Sequence, residues 1–273
     1  MNCKKRILKM DILELLQQHR AIICENLYLG RAHWDELLDR IERSQNTEDF
    51  ADEQIWTFLL SALFSLSSDG PSKLAKVLSG EAINSKQIWF EVLPSSPRIK
   101  EGRTHLDLAL GDIQIMDGTD SGIVLADVKK PAIIFCEFKW YSDLSITVTH
   151  SLHRNQLARV IENGLYFKTE DGRLVDNIHV CLVSPAQFKE RNNPSRFYHY
   201  KFRDYNSDSS LLVEDLEAEE LLLDPDNPNV NEVISNLKLH WHTYEDLFRR
   251  APESKLKTAL LHYIQLHAGE NQI

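Results

Sequence analysis

At 273 residues, with 42% hydrophobic and 26% charged residues, the chain is long and apolar enough for one elaborated core or two small ones. It has no apolar run of bilayer-spanning length, and its basic start, "MNCKKRILKMDILELLQQH", lacks the apolar stretch and cleavage site of a secretory leader; a cytoplasmic protein without membrane contact is expected. The formal charge of -10 argues against a nucleic-acid partner only until its distribution is read: nine acids and no Lys or Arg lie between Asp208 and Glu232, and the remainder is close to neutral.

Apolar residues at three- and four-residue intervals predict helices over "MDILELLQQHRAIICENL", "AHWDELLDRIERS" and "NTEDFADEQIWTFLLSALFSL", the last capped by Asn46 or Thr47. "SSDGP" breaks the pattern, and the short helix "SKLAKVL" ends at Gly80. The period then falls to two. "QIWFEVL" predicts a strand, "THLDLALGDIQIM" alternates as far as the turn "DGTDSG", and "GIVLADV" and "PAIIFCEFKW" follow. The last of these is apolar enough for a strand covered on both faces. "SLHRNQLARVIENGLYF" carries an amphipathic stripe, and "NIHVCLVSP" is a further buried strand.

This order predicts an α/β protein with a mixed central sheet, flanked by helices, and one helix crossing between the later strands. Three regions are expected: helices over 1–45, a core over 46–206, and an acidic segment with closing helices over 207–273. In the last region "NEVISNLKLHWHTYEDLFRR" and "SKLKTALLHYIQLH" both read as helical, and the acidic run reads as a solvated helix face or as a phosphate mimic covering a site. Cys3, Cys24, Cys136 and Cys181 form no CxxC pair and no zinc spacing, so reduced, packed thiols are expected.

"AIIFCEFKW" carries the chemistry. Glu137 and Lys139 sit two apart, so both side chains leave the end of a buried strand on one face. A charge taken out of water there costs several kcal/mol unless it is paired or bound to metal. Asp107 interrupts the alternating strand "HLDLAL" and meets Glu137 if the two strands are neighbours. Two hard carboxylates suit Mg²⁺ or Mn²⁺, and a lysine beside them can orient or help deprotonate a water for attack on a phosphodiester. An ion pair with a purely structural role is the competing explanation.

"LDLAL" followed by "FCEFKW" resembles the PD-(D/E)XK nucleases, the restriction-endonuclease-like superfamily, over roughly Glu53 to Ser184. The resemblance implies a core of helix, three strands, helix and strand. It also implies Asp107 and Glu137 as metal ligands, with the Phe138 main-chain carbonyl beside them, and Lys139 serving the water. Gln156 stands where many members place a glutamine, and Glu53 or Glu91 where they place a further acid. Leu106 occupies the position of the motif's proline, and the long separation of Asp107 from Glu137 predicts an inserted hairpin or extra strand.

The expected function is therefore a Mg²⁺- or Mn²⁺-dependent nuclease acting on DNA rather than RNA, alone, as a homodimer or with a protein partner. The alternative is an inactive nuclease fold serving as a nucleic-acid-binding or scaffolding partner. Arg98, Lys100 and Arg103 before the Asp107 strand, and Arg154 and Arg159 on the Gln156 helix, are expected phosphate contacts. His150 and His153 open that helix as caps or solvated residues, or near the phosphate. In "SRFYHYKFRDY", Arg196, Lys201 and Arg203 interleave with aromatics. Phe197, His199 and Lys201 alternate against Tyr198, Tyr200 and Phe202, which fits a strand with one face in the core or a surface that stacks on unpaired bases.

Overall fold

The computed structural model describes residues 3–44, 53–99, 104–144, 155–190, 196–217 and 223–268. Its first part is helical, as the spacing predicts: α1 (Cys3–Gln18), α2 (Arg20–Asn26), α3 (Trp34–Arg43), α4 (Glu53–Phe64) and α5 (Gly70–Ser79). Gly80 closes α5 in the left-handed conformation at φ 76°, which a residue without Cβ adopts at no steric cost. The proposed caps Asn46 and Thr47 lie outside the described residues. A two-residue strand that the helical spacing concealed, β1 (Leu27–Tyr28), follows α2.

Among the described residues the sheet is mixed and has eight strands. β2 (Ile88–Pro94), β3 (Leu106–Gly111), β4 (Ile113–Ile115), β5 (Gly122–Leu125), β6 (Ala132–Phe138), β7 (Asn177–Ser184) and β8 (Leu237–Thr243) lie in the order β4-β5-β2-β3-β6-β7-β8, with β1 beside β2. β3 is antiparallel to both β2 and β6, while β7 is parallel to both β6 and β8. The alternating run through Leu106 and Ile115 is two strands because Gly111 turns the chain at φ 109°. A Cβ at Gly111 would lie 2.2 Å from the Ala132 carbonyl oxygen. Beyond that turn, β4 and β5 form the antiparallel hairpin expected between the two acids.

α6 (Gln156–Leu165) crosses from β6 to β7, its first turn closed by Asn155, which accepts the Ala158 N–H at 3.0 Å. Its stripe of Leu157, Val160, Ile161 and Leu165 is buried with Phe135, Ile178 and Val180 of the sheet. α7 (Ala186–Lys189), α8 (Phe197–Ser207), α9 (Ser209–Glu217) and α10 (Val230–Val233) follow, then α11 (Tyr244–Arg250) and α12 (Lys255–Ala268) after β8. Side chains from α1 to α5, α11 and α12 form the apolar layer on one sheet face; α6, α8, α9 and α10 line the other. Among the described residues no helix is long and apolar enough to cross a membrane.

Two stretches depart from expectation. The alternating "FYHYKFRDY" is helical: the Asp143 carboxylate accepts the N–H groups of Phe197 (2.7 Å) and Tyr198 (3.2 Å), and Tyr198 and Tyr205, seven residues apart, bury one face. Conversely, "LKLHWHT" is strand rather than helix. Leu237, Leu239 and Trp241 pack against one apolar layer, and Lys238, His240 and His242 alternate with them, a period of two that fits an outer strand beside β7. The acidic run is only partly a solvated face, since α9 buries Leu212 and Leu216 and Asp215 accepts hydrogen bonds from Lys201 and Tyr205. Cys136 and Cys181 are buried free thiols as expected, but Cys24 is exposed.

Candidate functional site

Strand register gathers the acids. Phe90 pairs with Leu108 and Val92 with Leu106, which sets Glu91 opposite Asp107. Leu108 pairs with Cys136, and one step further along the same antiparallel register Asp107 stands opposite Glu137. Glu91, Asp107 and Glu137 thus form one row across three neighbouring strands. Asp107 and Glu137, directly opposed in regular strands, share a sheet face. Glu91 holds a φ of 52°, a left-handed conformation that is strained for a residue with a side chain.

Glu137 is completely buried (0% exposed), and its Oε1 lies 2.7 Å from Lys139 Nζ. That contact is an ion pair without hydrogen-bond alignment, and Oε2 has no hydrogen-bond partner among the described residues. Lys139, 4% exposed, continues the parallel ladder one residue past β6 by donating its N–H to the Val183 carbonyl at 2.8 Å. Its ammonium also lies 3.5 Å from Glu53 Oε2 at the start of α4. Glu53 Oε1 in turn accepts the Trp140 N–H at 3.3 Å and the Ser142 hydroxyl. Asp107 Oδ2 accepts the Phe138 N–H at 2.7 Å. Below them Trp140 stacks on Trp56 at 4.7 Å and meets Tyr244 edge-on at 5.0 Å, a rigid aromatic floor.

Three carboxylates, Glu137, Glu53 and Asp107, act on the Lys139 ammonium, while Glu91 faces Arg31 and Arg40, and the electrostatics follow. Burial first, and the Glu137 charge second, push Asp107 well above the usual carboxylate range. Burial likewise raises Glu137 against the opposing pull of Lys139. Lys139 itself would be lowered by burial, but Glu137, Glu53 and Asp107 together reverse the sign and raise it. Burial raises Glu91 against a Gln54 hydrogen bond and the charges of Arg31 and Arg40. Carboxylates that resist ionisation side by side are what a divalent cation relieves.

The two candidates for the further acid both belong here: Glu53 touches Lys139, and Glu91 extends the row. Gln156 occupies the first turn of α6 but makes no hydrogen bond to Asp107, Glu137 or Lys139 among the described residues. Ser142, Gln54, Arg31 and Arg40 surround the acids without any spacing signal that announces them.

The phosphate-contact residues divide. Arg98 is a correction: it is buried, and its guanidinium grips the Glu162 carboxylate at 2.7, 2.9 and 3.1 Å and donates to the Leu216 carbonyl, leaving no face for a nucleic-acid backbone. Lys201 is also spent, half-buried against Asp215. Arg159 is half-buried in α6, and Arg196 and Arg203 flank and occupy α8. Lys100, Arg103, His150, His153 and Arg154 lie outside the described residues.

Among the described residues no three His, Cys, Asp or Glu side chains are arranged as a ready metal cage. No protein-family model, curated protein or solved structure matches the chain.

Proposed function

We propose that this chain is a metal-dependent nuclease that hydrolyses phosphodiester bonds, with DNA the first substrate to test. The observation that carries the proposal is Glu137: a fully buried carboxylate, one oxygen without a hydrogen bond, in register with Asp107 and Glu91 and beside a buried lysine. The Lys139 ammonium compensates one Glu137 oxygen, and burying the other without a hydrogen bond carries a desolvation cost that a ligand would offset. The succession α4, α5, β2, β3, β4, β5, β6, α6, β7 supports the reading to this extent: with α5 and the β4–β5 hairpin taken as insertions, it leaves a helix, three strands, a helix and a strand.

The donor chemistry fits a hard cation: carboxylate oxygens from Asp107 and Glu137, with the Phe138 main-chain carbonyl as a further ligand. When bound, Mg²⁺ or Mn²⁺ would supply charge for the phosphate and acidify a water. Lys139, held by Glu53 and Glu137, orients that water, and the raised ammonium pKa keeps it a proton donor in the resting site. Gln156 is assigned to the water or the phosphate.

One observation favours the second reading, an inactive fold that binds nucleic acid or a protein. Lys139 already pairs with both Glu137 and Glu53, which is what a structural ion pair requires.

The deciding experiment treats supercoiled plasmid, linear duplex, single-stranded DNA and RNA with the wild-type protein and Lys139→Ala, in Mg²⁺, Mn²⁺ or EDTA. Metal-dependent cutting by the wild type alone supports the nuclease. Absence of cutting, together with no Mg²⁺ or Mn²⁺ binding by calorimetry, gives the site to the ion pair.

A further inference from the structure

We propose, resting on the nuclease reading for the site itself, that the nucleic acid held beside it is single-stranded, carried on an aromatic and basic strip from Tyr141 to α8. Tyr141 lies two residues past Lys139 and is 45% exposed. Its ring is fixed edge-on by Trp140 at 5.6 Å and Phe188 at 5.8 Å, and its carbonyl accepts a hydrogen bond from Arg196 Nη2 at 2.8 Å. The Arg196 guanidinium covers Phe188 at 4.5 Å.

From Phe188 the contacts continue into α8. His199 Nδ1 lies 3.2 Å from the Phe188 carbonyl, the His199 ring meets Tyr200, and the Arg203 guanidinium sits 5.7 Å from the Tyr200 ring. Tyr200 is 41% exposed. An unbroken chain of contacts therefore joins the acid–lysine site to a second exposed ring with a cation beside it.

The form of the nucleic acid follows from what these groups can recognise. A tyrosine face stacks on a base only when that base has left its own stack, which single strands allow and an intact duplex does not. Arg196 and Arg203 supply phosphate contacts. Among the described residues Asp204 lies 3.8 Å from Arg203, Asp215 occupies Lys201 and the Trp241 carbonyl occupies Lys189, so little unpaired positive charge is left along the strip. Stacking rather than charge must supply most of the binding, which again selects unpaired bases.

The test is fluorescence anisotropy of a labelled thymidine oligonucleotide and of a mixed-sequence duplex of equal length, with the wild-type protein in EDTA so that no cleavage intervenes. Thymidine strands should bind more tightly than duplex. Tyr141→Ala and Tyr200→Ala should each weaken single-strand binding about ten-fold, whereas Tyr141→Phe and Tyr200→Phe, which keep the ring, should not. Thermal melts confirm that each variant is folded. Duplex preference, alanine variants that bind like the wild type, or no binding of either probe overturns the strip. Stacking-dependent binding without metal-dependent cleavage leaves the strip and removes the nuclease; cleavage with ring-independent binding does the reverse.

Discussion

Asp107 Oδ2 accepts the main-chain N–H of Phe138 at 2.7 Å, so an acid of β3 fixes the backbone of β6 between Glu137 and Lys139. One carboxylate oxygen is thus spent on architecture while the other stays with the acid row. Asp107→Ala should lose about 1–3 kcal/mol, the cost of an orphaned buried donor. Asp107→Asn keeps an acceptor and should stay folded, yet Mg²⁺ should no longer raise its urea midpoint. Urea melts of both variants with and without Mg²⁺ check the separation.

Removing Lys139 leaves Glu137 buried with no cation. Lys139→Met should therefore destabilise the metal-free protein by about 3–5 kcal/mol, and Glu137→Gln combined with Lys139→Met should recover much of it. Magnesium should rescue the single variant more than the double one. A double-mutant cycle by chemical denaturation in EDTA and in Mg²⁺ reads all three values, and identical metal shifts throughout would refute a cation at Glu137.

Glu91 is both strained and half-buried, at φ 52° with its carboxyl raised by burial. Glycine adopts that backbone freely, so Glu91→Gly should be neutral or stabilising by up to about 1 kcal/mol, unusual for a strand substitution. If the row serves cleavage, the same variant should cut more slowly. Melting temperature and cleavage rate, measured on one preparation, give the two signs.

Arg98 tests how firmly the outer helices are tied to the sheet. Its bidentate pair with Glu162 joins the segment after β2 to α6, and its bond to Leu216 reaches α9. Arg98→Ala should cost about 3–5 kcal/mol, because a buried carboxylate loses its partner. Arg203→Ala, on an exposed pair, should change stability by no more than about 0.5 kcal/mol. Denaturant midpoints distinguish a buried strut from a surface cation.

His179 contributes to the acid side of the stability curve. It is fully buried, with Nδ1 2.9 Å from His240 Nε2, Glu81 3.6 Å from its other nitrogen and Lys238 nearby. Burial first and His240 second lower it to about 4, against the raising effect of Glu81. The unfolded chain, with histidine near its ordinary 6.5, binds the proton first as pH falls, so this contribution is present above 6.5 and lost between 6.5 and about 4. The loss is on the order of 3 kcal/mol. Urea midpoints across that range should fall with acidity in the wild type and fall less steeply in His179→Gln.

Much of this molecule was legible along the chain. The helices before Gly80, the strands around Phe90, Leu108, Phe135 and Val180, and the helix of Leu157 to Leu165 all announce themselves, because side-chain period is a local property of backbone geometry. So did the pairing of Glu137 with Lys139, which needs only that residues two apart share a strand face. Tertiary structure decided the rest. The strand β8 hid among helical spacings because seven residues with histidines on one side become a strand only when β7 offers its edge. The alternating aromatics of Phe197 to Phe202 became a helix because Asp143, far away in sequence, caps it and a core awaits Tyr198 and Tyr205. Arg98 looked like a phosphate contact until Glu162 claimed it. The row of Glu91, Asp107 and Glu137 exists only through the register of three strands, which is set by contacts that no local window of sequence contains.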